Sequence, residues 1–386
     1  MAQETTDSLD IKYMRVALRM ARRGLGRVSP NPTVGCVIVR GGRVVGRGWT
    51  QPGGRPHAET EALRRAGNAA RGATAYVSLE PCAHYGKTPP CCEALVNSGI
   101  ARVVVACLDP DPRVDGAGLK ALERAGVEVV KGVCAAEAKE VNAGFFLRLT
   151  KGRPLINLKL ATTLDGRIAT IYGESQWITG DGARAQGHYL RANHDAILVG
   201  SGTIIADDPG LTCRLPGLER GSPDRIIVDG QLSIPLTANV VSSALTTPTR
   251  VITLPSADAN RRKAMVDGGV EVIEVPPDSA GKPDLQHAMQ ILGVFGFTRV
   301  LVEGGSQIAG ALIRQNLIDR VTWFRAPMII GGDGVPAIAG HGVEALDETV
   351  KLRLLQTRRV GPDLMETYVV EDQFGGASAA NAITGA

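Results

Sequence analysis

Apolar positions along this chain fall into short, nearly continuous runs separated by stretches of helical spacing. Residues 34–40 (VGCVIVR) and 43–48 (RVVGRG) flank Gly41-Gly42, and two glycines between apolar runs predict a β-hairpin. Before them, Met14, Ala17, Leu18 and Ala21 recur at helical intervals, with Asp10 placed to cap their helix. A helix is predicted to begin near His57 and run to Gly67. Residues 75–79 read as a buried strand, and Pro90-Cys91 opens the next helix. Residues 102–108 and 127–130 read as two more strands, and 137–149 as helical. Strands alternating with helices imply an α/β layered domain.

The pattern restarts after Lys151-Gly152-Arg153-Pro154, a short polar hinge. Residues 155–160, 196–200, 224–229 and 299–303 read as strands, with a helix over 181–194. Their apolar runs are continuous rather than alternating, so this sheet should be covered on both faces. We therefore divide the chain at 1–150 and 151–371, two α/β domains, which suits a length of 386 residues. The remainder, 372–386, is rich in Gly, Ala, Ser and Asn and reads as an unpacked tail.

Composition narrows the function class. No apolar run approaches a membrane span, and the first residues lack the apolar region of a signal peptide. Seven cysteines without a pairing pattern suit a reducing cytoplasm. A net charge of +4 with no lysine-arginine block argues against a large nucleic-acid surface, though not against a small basic pocket for a phosphate.

The chemistry is concentrated in His57-Ala58-Glu59, then Pro81-Cys82, then Cys91. A catalytic zinc takes three protein ligands and keeps its fourth position open; His57, Cys82 and Cys91 would supply the three. Glu59, beside them, is free to carry a proton between water and a leaving amine. This is the order of the zinc deaminases of nucleobases. Residues two apart do not share a helix face, so His57 and Glu59 can serve one site only at the first turn of their helix. The eight residues between Cys82 and Cys91 include a glycine and two prolines. They predict a loop over the metal that places Ala83, His84 and Lys87 near a substrate. Spacing alone leaves Cys92 as an alternative to Cys91. A structural zinc site would instead be closed by a fourth ligand such as His84 or Cys92. A nucleic-acid-editing deaminase, such as one acting on tRNA adenosine, is a further alternative, but it usually pairs its cysteines as Cys-x-x-Cys.

In the second half, Glu303-Gly304-Gly305-Ser306 leaves a strand for a helical pattern, a turn that can receive a phosphate or simply be tight. Ala206-Asp207-Asp208-Pro209 reads as a polar loop. Trp177, one of three tryptophans, sits among polar residues, either to stack on a flat ring or to anchor a core.

With these residues assembled, the chain resembles the bifunctional deaminase–reductase family of riboflavin biosynthesis. The resemblance is carried by PNPTVG (30–35), PHAE (56–59), LEPC (79–82), GKTPPC (86–91), LDG (164–166), GESQWIT (173–179), ADDP (206–209) and EGG (303–305). It spans residues 10–370. It implies a cytidine-deaminase-like three-layer domain followed by a dihydrofolate-reductase-like domain. It also implies one Zn²⁺ held by His57, Cys82 and Cys91, with Glu59 as proton shuttle. The first domain would deaminate a phosphoribosylaminopyrimidine, and the second would reduce the ribosyl group with NADPH. Ala161, Trp177, Thr203, Asp207 and Gly305 match cofactor positions; Ser175, Arg191, Leu211, Arg214 and Glu303 match substrate positions. The forks of Arg191 and Arg214 suit a phosphate, and either Lys159 or Asp207 would donate the proton that accompanies the hydride. A homodimer or higher homo-oligomer is implied, with no nucleic-acid or membrane partner. Two stretches depart from the family's pattern. Ala83-His84-Tyr85 stands where relatives often carry Ser-His-His, and Asp229-Gly230 where they often carry Asp-Ser.

Overall fold

The computed structural model describes residues 2–86, 88–111, 114 and 116–371; Lys87 and the tail expected over 372–386 lie outside them. Helix α1 (Ala2–Ala21) leads to strands β1 (Gly35–Arg40) and β2 (Arg43–Trp49). Gly41 and Gly42 join them with φ of 55° and 74°, the left-handed pair that a two-residue hairpin turn demands. Then follow α2 (Ala58–Ala66), β3 (Thr74–Val77), α3 (Cys91–Asn97), β4 (Arg102–Val105), α4 (Ala117–Arg124) and β5 (Glu128–Lys131). The sheet order is β2-β1-β3-β4-β5, with β3, β4 and β5 mutually parallel. Helix α2 can lie on β2 because Gly46 and Gly48 face it. A Cβ at either would collide with the carbonyl of Ala62 or Ala58.

Helices α5 (Ala135–Val141) and α6 (Ala143–Lys151) lead to the second sheet. Its elements are β6 (Leu155–Thr162), β7 (Arg167–Ala169), α7 (Asp181–Ala192), β8 (Ala196–Gly200), α8 (Ser201–Asp207), β9 (Asp224–Val228) and α9 (Asn239–Ser242). They continue with β10 (Thr249–Thr253), α10 (Ala259–Asp267), β11 (Glu271–Glu274), α11 (Leu285–Val294), β12 (Arg299–Val302) and α12 (Ser306–Arg314). Strands β13 (Arg320–Arg325), β14 (Val335–Pro336), β15 (Leu352–Val360) and β16 (Asp363–Val370) complete the chain. Nine strands form one sheet in the order β11-β10-β9-β8-β12-β6-β13-β16-β15, while β7 and β14 pair separately. The expectation of two-sided cover holds at its centre: β8 and β12 bury every residue except their ends.

Four local expectations change. Asp10 is not a cap but lies inside α1, buried, where Arg102 on β4 grips it through two hydrogen bonds of 2.8 and 2.9 Å. The helical stretch 137–149 is two helices, because Asn142 turns out to bond both Thr33 N (2.9 Å) and Thr33 O (3.1 Å). Ala206 and Asp207 belong to α8 rather than to a loop; the chain turns at Asp208, φ 38°. Arg153, read as part of a polar hinge, is buried and holds the buried Asp319 through bonds of 2.7 and 3.0 Å.

The two sheets are clamped together. Arg320 on β13 reaches Glu140, and Arg299 donates to the carbonyls of Glu140 and Val141 at 3.1 and 3.0 Å. Ser29 donates to Gly296 O at 2.6 Å.

Candidate active sites

His57 occupies the N-cap of α2 in extended conformation, and Glu59 lies in the helix's first turn. That is the placement the two-residue spacing requires. Strand β3 delivers Glu80-Pro81-Cys82 just past its carboxyl end, and Cys91 opens α3. The ligand atoms of His57, Cys82 and Cys91 all lie within 4.8 Å of one another. His57 Nδ1 is 3.2 Å from Cys91 Sγ and 3.7 Å from Cys82 Sγ. A tetrahedral zinc with Zn–S of about 2.3 Å and Zn–N of about 2.0 Å wants separations close to these, so the donor set fits the ion. Cys92 is not among these donors; it is buried in the first domain's apolar core.

Electrostatics suit a metal and a proton carrier. The Cys91 thiol and then His57 hold the Cys82 thiol down to about 4 against the opposing effect of burial. The Cys91 N–H donates to Cys82 Sγ at 3.3 Å, adding the helix terminus to that stabilisation. Glu59 is buried, which pushes its carboxyl up to about 7, with Cys82 raising it further and His57 opposing. A shuttle works best with a pKa near the working pH.

A cavity of about 260 Å³ opens beside these residues. Its lining includes Asn31, Arg55, His84, Asp109 and Asp111, and also Phe145, Arg148 and Leu149 of α6. His84 Nδ1 has no partner among the described residues, so it can serve a ligand here. Glu80 has a separate task. Its buried carboxylate accepts from the N–H groups of Gly116 and Gly118, both at 3.1 Å, and of Asp109 at 3.4 Å. It thereby ties the loop carrying Asp109 and Asp111 to the strand end that carries Cys82. Sequence reasoning missed Asp109, Asp111 and the α6 residues. Only Asp109-Pro110-Asp111, polar and turn-forming after a strand, offered a signal.

The second set of residues gathers at the carboxyl ends of β6, β8 and β12, where open parallel sheets bind ligands. Glu303, one residue past β12, takes both Nε (2.7 Å) and Nη2 (3.0 Å) of Arg191 from α7, and Lys159 Nζ on β6 is 3.7 Å away. Burial alone would raise the Glu303 carboxyl, but Arg191 and Lys159 outweigh it and hold it at about 2. The reading of Arg191 as a free fork for phosphate is therefore corrected. Its remaining Nη1 also donates, to Thr212 O at 3.0 Å. Arg214, exposed, keeps its guanidinium available.

His188, which sequence reasoning overlooked, lies one turn before Arg191; its Nδ1 is 3.2 Å from Thr212 O and 3.3 Å from Arg214 N, and bonds one or the other according to the tautomer. Burial and then Arg191 and Arg214 depress its pKa, favouring the neutral ring. Leu211 beside them is buried with φ 54°. Buried Arg225 reaches the adjacent Gly210 O. Gly305 caps α12, so the glycine turn does end at a helix N-terminus. Ala161 on β6 is half-buried opposite Phe324, Thr203 lies in α8, and Ser175 is half-buried. Trp177 is 64% exposed with the Arg184 guanidinium 4.5 Å over its ring, so it anchors no core. Asp207 is exposed at the end of α8, and no bond joins it to the Glu303 cluster among the described residues. At Gly230, an added Cβ would lie 3.1 Å from Pro283, so a serine there would crowd that ring.

Comparison with known proteins places these geometries. Residues 7–107 match the cytidine and deoxycytidylate deaminase zinc-binding region, and residues 154–365 match the RibD C-terminal domain. The second match covers more than half the chain. The chain belongs to the RibD family of riboflavin biosynthesis proteins. The RibD of Bacillus amyloliquefaciens is 40% identical over 93% of this chain and 96% of its own length. That of Escherichia coli K12 is 41% identical over 92% and 98%. Among solved structures, Acinetobacter baumannii RibD superposes with a TM-score of 0.84 at 37% identity, over 94% of this chain and 99% of that one. A Thermotoga maritima protein described as a diaminohydroxyphosphoribosylaminopyrimidine deaminase / 5-amino-6-(5-phosphoribosylamino)uracil reductase gives 0.82 at 33% identity, over 95% and 99%. RibD membership makes this chain a bifunctional enzyme of riboflavin biosynthesis, a zinc-binding deaminase joined to a reductase. It also sets aside the structural zinc module and the nucleic-acid-editing deaminase.

Proposed function

We propose that residues 1–150 deaminate 2,5-diamino-6-(5-phosphoribosylamino)pyrimidin-4-one, and that residues 151–371 then reduce the ribosyl group of the product to ribityl. The observation that carries the first half is the mutual approach of His57, Cys82 and Cys91 with buried Glu59 at their side. These three residues would hold zinc, which when bound would lower the pKa of water at this site towards neutrality. Glu59 would carry a proton between water and the departing amine at the ring's 2-position. His84 orients the ring from the opposite loop. Burial of the site keeps competing water from the proton path.

In the second half, NADPH would supply the hydride. Trp177, Thr203, Asp207, Ala161 and the Gly305 turn would hold the cofactor. Glu303, fixed by Arg191, accepts from the ribosyl hydroxyls, while Ser175, Leu211 and Arg214 hold the rest of the substrate, with Arg214 facing its phosphate. Lys159 would donate the proton that the ribosyl ring oxygen takes up when its bond to the first carbon opens. Its place beside Glu303 supports it over Asp207.

The partners are small molecules and a second copy of the chain. Strand β15 is the sheet's edge, nine residues long and exposed at all but its last, and an uncovered edge of that length pairs readily with its own copy. Among the described residues, no helix is long and apolar enough to cross a membrane, and a cytoplasmic site of action agrees with free thiolate ligands.

Each half has a direct test. Ammonia release from the diaminopyrimidine without NADPH would be expected from the zinc-loaded protein, and its absence would remove the first assignment. Replacing Glu303 with Gln should abolish NADPH oxidation while ammonia release persists; retention of reduction would remove Glu303 from the site.

A further inference from the structure

We propose that Arg148, on the helix joining the two domains, is a specificity-determining residue of the deaminase, binding the phosphate of its substrate. The inference rests on the reading of that substrate as a phosphorylated pyrimidine.

Helix α6 lies between the two regions matched to known families, 7–107 and 154–365. Yet Phe145, Arg148 and Leu149, spaced three and four apart on one face, line the cavity that holds His57 and Glu59. A phosphate entering this cavity is received most favourably by a cation on its wall. Among the described lining residues, the arginines are Arg55 and Arg148. Arg55 spends one of its two terminal nitrogens, Nη1, on Thr88 Oγ1 at 2.5 Å, on the loop between the two cysteines.

Arg148 is held differently. Its Nε donates to Gly293 O at 2.9 Å, in the second domain, and that is its one side-chain bond among the described residues. Anchoring at Nε restrains the guanidinium and leaves both terminal nitrogens without a partner among the described residues, on a side chain that borders the cavity. A planar fork fixed this way suits bidentate phosphate binding with little ordering cost on binding. The second domain thus contributes to the first domain's specificity through a single carbonyl.

The test uses full-length, zinc-loaded protein and compares the wild type with Arg148→Met and Arg148→Lys. For Arg148→Met, KM for the phosphorylated diaminopyrimidine should rise roughly tenfold, the worth of one charge-assisted hydrogen bond, with a smaller change in kcat. Ribose 5-phosphate, used as a competitive inhibitor of deamination, should weaken by a similar factor. Arg148→Lys should recover part of both, and NADPH-dependent reduction should keep its kinetics. An unchanged KM together with an unchanged inhibition constant would overturn the inference. So would an equal loss on the dephosphorylated substrate, which would make Arg148 a structural strut. Failure of the wild type to deaminate the phosphorylated compound would instead overturn the functional reading on which this one rests.

Discussion

Adjacent thiols have opposite fates in this molecule. Cys91, at the first position of α3, faces His57 and Cys82, whereas Cys92, one position on, is buried among apolar side chains. A helix rotates each residue by about 100° from the last, so neighbours on it cannot share a site. Serine at Cys91 should therefore strip the zinc, read as metal per chain, while Cys92→Ser leaves one zinc and costs stability only. Glu59→Gln should cut deamination roughly a hundredfold or more, the usual worth of a positioned acid–base group, with zinc content and reduction intact. The zinc-site residues were legible because their chemistry is local: HAE, PC and TPPC each sit at an element's end. The Cys91–Cys92 choice was not, since it depends on how α3 is rotated against β3. Arg191 was misread for a similar reason. Nothing in the sequence says that Glu303, 112 positions away, closes on its fork.

Among elements, those with a continuous apolar run or a helical period stood out, as in the hairpin β1–β2, α2, β8, β9 and β12. Strand β15 did not, because LRLLQTRRV has neither a continuous apolar run nor a strict alternation, on an edge that buries none of its residues. The break between α5 and α6 escaped as well, since it is made by a tertiary bond from Asn142 to Thr33. One junction between elements carries a pH response. His194, following α7, is buried, and burial and then Arg299 depress its pKa to about 4. Its Nδ1–H donates to Leu190 O at 2.7 Å, and Nε2 faces the Asn157 amide at 3.3 Å, a pattern for the neutral ring. The unfolded chain, with a histidine pKa of about 6.5, binds the proton first on acidification. Stability from this group is thus full above pH 6.5 and lost as pH falls towards 4, by about 3 kcal/mol. His194→Gln should flatten the fall of Tm between those pH values; an unchanged slope would place the acid sensitivity elsewhere. Glu80 is the second junction. Glu80→Ala should cost about 1–3 kcal/mol by leaving buried amides unpaired, visible as a lower Tm.

For the molecule as a whole, the division into two α/β halves was readable from the restart of the strand pattern after residue 151. The clamp between them was not, because Arg299, Arg320 and Glu140 look like ordinary surface charges in sequence. Their bonds, with that of Arg148 to Gly293, tie the reductase domain to α5 and to α6, the helix that lines the deaminase cavity. Exposed Leu354 on β15 should govern self-association. Leu354→Lys is expected to lower the sedimenting mass, and an unchanged mass would move the interface to another surface. The central claim is that one chain carries out two reactions in a fixed order. It is tested most directly by an anaerobic assay of the zinc-loaded protein with the phosphorylated diaminopyrimidine, following ammonia and NADPH together. Ammonia should appear without NADPH, and NADPH should be oxidised only once deaminated product has formed. NADPH oxidation at full rate when Glu59→Gln has blocked deamination would contradict the order, and ammonia release that survives removal of zinc would contradict the mechanism.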